Sequence, residues 1–221
     1  MKRRGVQIIA GLLTASMLAL TGCGDILSAA DSVIEIEEFV QPMERNETTM
    51  VLDDQVGRSV NFKTLDDLID SLDTGTAYAR IRLKGYDGEV LMITDEGPCD
   101  YYGNTAAYQA HFYTRRKGMP VKCIGALNMG GDTFCFRLND GILFAGTTTS
   151  YETYLVSADG DKLVRKDCVV IDDGTKNTCS GTVRAEDLDS PETKFKGTEA
   201  DFYKLLNKFS DSEVIEFEIK E

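Results

Sequence analysis

The chain has 221 residues, with 24 Lys and Arg against 37 Asp and Glu, a net charge of −13, one histidine and no tryptophan. Such an acidic surface repels nucleic-acid phosphates and anionic lipid, which excludes nucleic-acid recognition and membrane attachment through the protein's own face. The length is enough to bury a core without help from metal or disulfides, and it suits one domain or one domain with a small appendage.

Met1-Lys2-Arg3-Arg4 is a positive start, followed by an apolar run from Val6 to Leu20 broken by Gln7, Gly11, Thr14 and Ser16. That run is too short and too interrupted for a membrane-spanning helix, and its layout is that of an export signal. It ends in Leu20-Thr21-Gly22-Cys23. These four residues resemble the lipobox of bacterial lipoproteins, Leu-x-Gly-Cys. The resemblance implies that Cys23 carries diacylglyceryl on its sulfur, with palmitate-type acyl chains, and becomes residue one after residues 1–22 are cut away. It places the protein on the outer face of the bacterial cytoplasmic membrane, in the cell envelope. Two acyl chains hold firmly where one would be marginal. The removed leader carries three cations and no acid, so the net charge becomes −16. Residues 23–32 then form the lipidated cysteine and a small polar tether, and residues 33–221 form a single β-rich domain.

Ile34 and Ile36 alternate with Glu35 and Glu37 in a short period-two stretch from Val33 to Val40, which Pro42 ends. Arg58 to Phe62 fits a short strand. Thr64 opens a helix: its hydroxyl can cap the amide of Asp67, and Leu65, Leu68, Ile69 and Leu72 make one apolar stripe. From Ala77 to Ile171 the pattern becomes period two, with eight candidate strands at 77–84, 89–94, 105–115, 120–127, 133–138, 142–146, 150–157 and 162–171. The turns between them are rich in Gly and Asp, as at Asn139-Asp140-Gly141 and Asp159-Gly160-Asp161, which favours hairpins. A polar stretch follows from Gly181 to Gly197. Thr198 opens a second helix with Asp201 in a capping box and Phe202, Leu205, Leu206 and Phe209 as its stripe. Val214–Lys220 alternates as a half-buried strand. The fold expected is mainly β: an antiparallel meander of about 8–10 strands packed as a barrel, a sandwich or propeller-like blades, with two short helices.

Beyond Cys23 there are five cysteines: Cys99, Cys123, Cys135, Cys168 and Cys179. A two-residue turn at Asp173-Gly174 would set Cys168 opposite Cys179, and a three-residue loop at Asn128–Gly130 would set Cys123 opposite Cys135. Directly opposed strand residues lie within disulfide reach, so both bridges are expected, leaving Cys99 as the odd thiol. His111 lies mid-strand and reads as structural. The chain holds none of the serine-hydrolase, zinc-peptidase, phosphate-loop or dinucleotide fingerprints. No catalytic residue, metal ligand or cofactor is therefore assigned. The acids Asp66, Asp67, Asp70 and Asp73 read as a solvated helix face. The best candidate contact surface is the tyrosine group Tyr101, Tyr102 and Tyr108 around Gly103-Asn104.

Ala77-Tyr78-Ala79, Leu91–Asp95 and Gly103–Ala110 together resemble segments of surface lipoproteins from Gram-positive gut bacteria, a group whose membership implies no activity. The sequence thus favours a non-enzymatic, lipid-anchored extracytoplasmic binding or adaptor domain for a glycan, a peptide or an envelope protein. The alternatives are a surface hydrolase using carboxylates or Cys99, and an accessory subunit of an envelope protein complex.

Overall fold

The computed structural model describes residues 49–50, 56–94, 98–129, 134–172 and 177–221. Cys23, the tether at 23–32, the stretch at 33–40 and the Asp173-Gly174 turn lie outside these residues. The described strands, in chain order, are β1 (Thr49–Met50), β2 (Ala77–Ile81), β3 (Val90–Thr94), β4 (Cys99–Tyr101), β5 (Asn104–Ala106), β6 (Gln109–Arg115), β7 (Val121–Asn128), β8 (Arg137–Asn139), β9 (Ile142–Gly146), β10 (Ser150–Val156), β11 (Leu163–Ile171), β12 (Thr178–Val183), β13 (Thr193–Thr198), β14 (Glu213–Val214) and β15 (Glu218–Ile219). The described helices are α1 (Leu65–Asp70) and α2 (Glu199–Ser210).

The strands form a six-stranded sheet in the order β1-β7-β6-β3-β2-β15, a seven-stranded sheet in the order β13-β12-β11-β10-β9-β8-β14, and the separate hairpin β4-β5. Every pairing is antiparallel. The mainly-β expectation with two short helices therefore holds, and the meander is divided between two facing sheets. Period-two alternation explains the division, since each strand sends every second residue to one side. On β3, Val90 and Met92 enter the core between the sheets, while Leu91 and Ile93 face outward. Phe112, Phe136, Leu143, Tyr154 and Val156 complete the same inter-sheet core. The Phe112 and Phe136 rings meet edge to face at 5.8 Å.

Each outer sheet face is covered by one helix. Leu65, Leu68 and Ile69 of α1 pack on Leu91, Ile93, Tyr113 and Val121. Phe202 and Phe209 of α2 pack on Phe144, Tyr151 and Val169. Both helices begin with a reciprocal capping box, Thr64 with Asp67 and Thr198 with Asp201, as the sequence pattern predicts.

Several local expectations change. The strand expected at 105–115 is broken into β5 and β6. The C-terminal strand is two short pieces, β14 on one sheet and β15 on the other. The polar stretch at 181–197 contributes the end of β12 and most of the edge strand β13, where Lys194 and Lys196 keep one face charged. An edge strand bearing lysines resists pairing with another chain.

The cysteine registers are also corrected. Cys168 lies opposite Thr182, and Cys179 lies opposite Ile171. Gly181 sets this register: a Cβ there would overlap the Cys168 carbonyl, so only glycine lets β12 come this close. Cys123 lies opposite Tyr113 on β6, because β7 pairs with β6 and β1 and does not turn back onto residues 134–136. Phe136 instead bonds through its N–H to Ala107 and through its carbonyl to Ile215. Among the described residues no disulfide joins any of Cys99, Cys123, Cys135, Cys168 and Cys179.

Candidate functional site

Tyr101 and Tyr102 sit at the tip of the β4-β5 hairpin. Tyr101 pairs with Asn104, so Tyr102-Gly103 is a two-residue loop. Its φ angles are +54° and +86°, the signature of a type I′ turn. Glycine adopts such angles freely, whereas tyrosine carries a Cβ that costs roughly 1–2 kcal/mol there. Tyr102 is 91% exposed, its ring edge-on to Tyr101 at 4.9 Å. The Arg137 guanidinium stacks over Tyr101 at 5.7 Å and over Phe209 at 5.4 Å, tying the hairpin to α2. It also donates to the carbonyls of Ser210 and Ser212 at the end of that helix. Tyr108, the third tyrosine singled out by the sequence, is half-buried and packs against the inter-sheet core.

The cysteines occupy separate environments. Cys99 donates to the Ala106 carbonyl at 3.4 Å, Cys123 to Gly125 at 3.7 Å and Cys179 to Thr198 at 3.3 Å. Burial pushes the Cys135 thiol up to about 11, opposed by the positive charge of Arg137 and reinforced by neighbouring Cys99. Such a thiol is a poor nucleophile at neutral pH. His111 lies between Ile93 and Ala126 on the outward face of its sheet, 6.5 Å from the Tyr113 ring. Strand register gives it neighbours other than Cys99, which faces Ala106.

The acids of α1 have local structural partners. Asp66 pairs with Arg80, Asp67 closes the cap, and Asp70 lies 3.6 Å from the Lys220 ammonium. Among the described residues, no group of three or more His, Cys, Asp or Glu side chains could hold a metal ion. None of the described helices is long and apolar enough to cross a membrane.

One buried ion pair marks the bulge between β10 and β11. Asp167 accepts from Thr153 Oγ1 at 2.7 Å, from the Arg184 N–H at 2.8 Å and from Lys166 Nζ at 3.0 Å. Lys166 also donates to the Arg184 carbonyl at 2.6 Å. A buried charge with this many partners is held in place by its network.

A concave feature went unrecognised in the sequence. A cleft of about 170 Å³ opens where the β6-β7 turn meets the β10-β11 turn. Thr114, Arg116, Lys122, Asp161 and Ser59 supply its polar lining, and Met119 its apolar lip. Arg116 Nη1 lies 3.2 Å from one Asp161 oxygen, and Lys122 Nζ lies 3.5 Å from the other. Backbone contacts fix the walls. Thr114 Oγ1 donates to the Gly160 carbonyl at 2.6 Å, and Tyr86 Oη to the Arg115 carbonyl at 2.7 Å. Beside the cleft, Ser157 and the Asp161 N–H hold the Asp159 carboxyl below its usual range.

No protein family, curated protein or solved structure matches this chain.

Proposed function

We propose that the protein is a lipid-anchored extracytoplasmic binding or adaptor domain, attached to the outer face of the membrane through Cys23. The observation that carries the binding reading is Tyr102. A large aromatic side chain sits at a left-handed turn position where asparagine, aspartate or glycine would be cheaper, and it is presented almost wholly to solvent. Strain kept at an exposed position fits a contact residue better than a packing residue. Its flat, amphipathic ring, backed by Tyr101 and Arg137, suits stacking on a sugar face or on a peptide side chain.

The anchor reading rests on the lipobox resemblance. Its test is fractionation of cells producing the wild-type chain and Cys23→Ser: the wild type goes to the membrane pellet and the variant does not. For binding, an array of glycans and peptides probed with wild type and Tyr102→Ala should give signals that the variant loses. Equal signals from both would remove Tyr102 from the contact surface. Turnover of an arrayed glycan or peptide would replace the binding reading with a hydrolase.

A further inference from the structure

The cleft beside the β6-β7 turn shares no lining residue with the tyrosine hairpin and carries its own chemistry. Across residues 57–59, 114–122 and 159–162 there are six cations, Arg58, Arg115, Arg116, Lys117, Lys122 and Lys162, against two carboxylates, Asp159 and Asp161. The chain as a whole has the opposite balance, with 37 acids to 24 bases. A local positive field on an acidic protein draws a small anion to this spot and repels it elsewhere.

The cleft already shows how an anion would be held. The Asp161 carboxylate presents one oxygen to the Arg116 guanidinium and the other to the Lys122 ammonium, at 3.2 and 3.5 Å. These contacts are long, and the side chains involved are 27–47% exposed, so they contribute little to stability and are easily shared. An entering oxyanion can take the same two cations, with the hydroxyls of Ser59 and Thr114 on the same lining. Arginine favours planar, paired contacts to phosphate and carboxylate.

Asp161 decides which oxyanion fits. A carboxylate facing the bound anion repels one that is fully ionised. It accepts a hydrogen bond from one that keeps a proton. Inorganic phosphate keeps at least one proton at neutral pH, whereas a phosphomonoester, with its second pKa near 6, is mostly the bare dianion there. Sulfate carries none, and neither does a phosphodiester. The volume of about 170 Å³ lies below the 300–1,000 Å³ typical of drug-sized ligands, which limits the occupant to a small group.

We propose that the cleft formed by Arg116, Lys122 and Asp161 binds inorganic phosphate in a proton-bearing form. The cations neutralise its charge, and Asp161 accepts its remaining hydrogen.

The test is calorimetric titration of the 221-residue chain with sodium phosphate, sodium sulfate and glycerol phosphate at pH 7 and equal ionic strength. Vesicles of phosphatidylglycerol serve as the diester arm. Phosphate should bind at least about tenfold more tightly than sulfate, the size of one charge-assisted hydrogen bond. Vesicles should give no binding, and glycerol phosphate, mostly a dianion at pH 7, should bind more weakly than inorganic phosphate. Arg116→Gln should weaken phosphate by about tenfold or more, and Asp161→Asn should abolish the preference over sulfate. Equal affinity for phosphate and sulfate in the wild type would overturn the proposal, leaving only a patch of positive charge. Binding of the diester vesicles, or no heat with phosphate, would also overturn it. Should a variant melt below the wild type, the comparison of the two anions on the unaltered chain still decides.

Discussion

Tyr154 donates its phenolic proton to Glu152 across 2.5 Å, and neither side chain is more than 1% exposed. They stand two residues apart on β10, hence on the same face. The other Glu152 oxygen lies 3.6 Å from the Cys168 thiol and 3.6 Å from the Arg165 guanidinium. A buried carboxylate is tolerable only when its oxygens are met in this way. Tyr154→Phe removes one partner and leaves the carboxylate short of a donor, which costs about 1–3 kcal/mol. Urea unfolding should show a lower midpoint with an unchanged slope. An unshifted midpoint would mean that this hydrogen bond contributes nothing.

Burial also raises the phenols of Tyr151 and Tyr154, and it lifts the Cys135 thiol to about 11. In each case the folded pKa exceeds the unfolded one, so the fold favours the protonated form. That contribution is complete below the unfolded values, 9.0 for the thiol and 10.0 for the phenols, and is lost as pH rises. Stability should decline from about pH 9 upward. In Cys135→Ala the part of that decline between about pH 9 and 11 should be shallower. Urea midpoints at the two ends of this window, for wild type and variant, check the slope.

The cysteine environments make a chemical prediction. Unfolded in the absence of reductant, Cys123, Cys135, Cys168 and Cys179 should each take one alkyl group, read as mass added to their peptides. In the native protein, Cys99 and Cys168, which are half-buried, should label ahead of buried Cys123, Cys135 and Cys179. A peptide pair linking Cys168 to Cys179, or Cys123 to Cys135, would show that the strand registers differ from those described.

Thr198 accepts the Asp201 N–H at 3.3 Å while Asp201 reaches back to the Thr198 N–H at 3.1 Å. Lys204 and then Thr198 hold the Asp201 carboxyl well below its usual range. Thr198→Ala should cost about 1 kcal/mol. For a chain of this length that lowers the melting temperature by about 2–4 °C. Scanning calorimetry reads it directly.

What the sequence revealed follows from how local each signal is. Asp140-Gly141 is recognisable because both residues tolerate positive φ, and the hairpin between β8 and β9 forms there at +49° and +72°. Both capping boxes are equally local, with Thr and Asp three residues apart. The Tyr102-Gly103 turn has the same backbone form but was not legible as one, because tyrosine is not a residue such turns favour. The cysteine registers were missed because Gly181 and the partners of Phe136 set them, and neither leaves a mark in the spacing of the cysteines. The cleft draws on residues near 58, 116 and 161, which only strand pairing brings together.

The most direct test of the account sets the stability of Tyr102→Asn beside its binding. Asn-Gly is the preferred pair for this turn. With no ligand present, the variant should melt higher than the wild type by about 2–4 °C, the effect of relieving roughly 1 kcal/mol of backbone strain. In a thermal-shift panel of cell-wall fragments, glycans and short peptides, a ligand at about a hundred times its Kd stabilises the wild type by roughly 2.7 kcal/mol, and the variant should lose that shift. A higher melting temperature together with lost binding would identify Tyr102 as a residue kept for contact at the expense of stability. A variant that melts lower than the wild type, or that keeps the full ligand shift, would contradict the central claim.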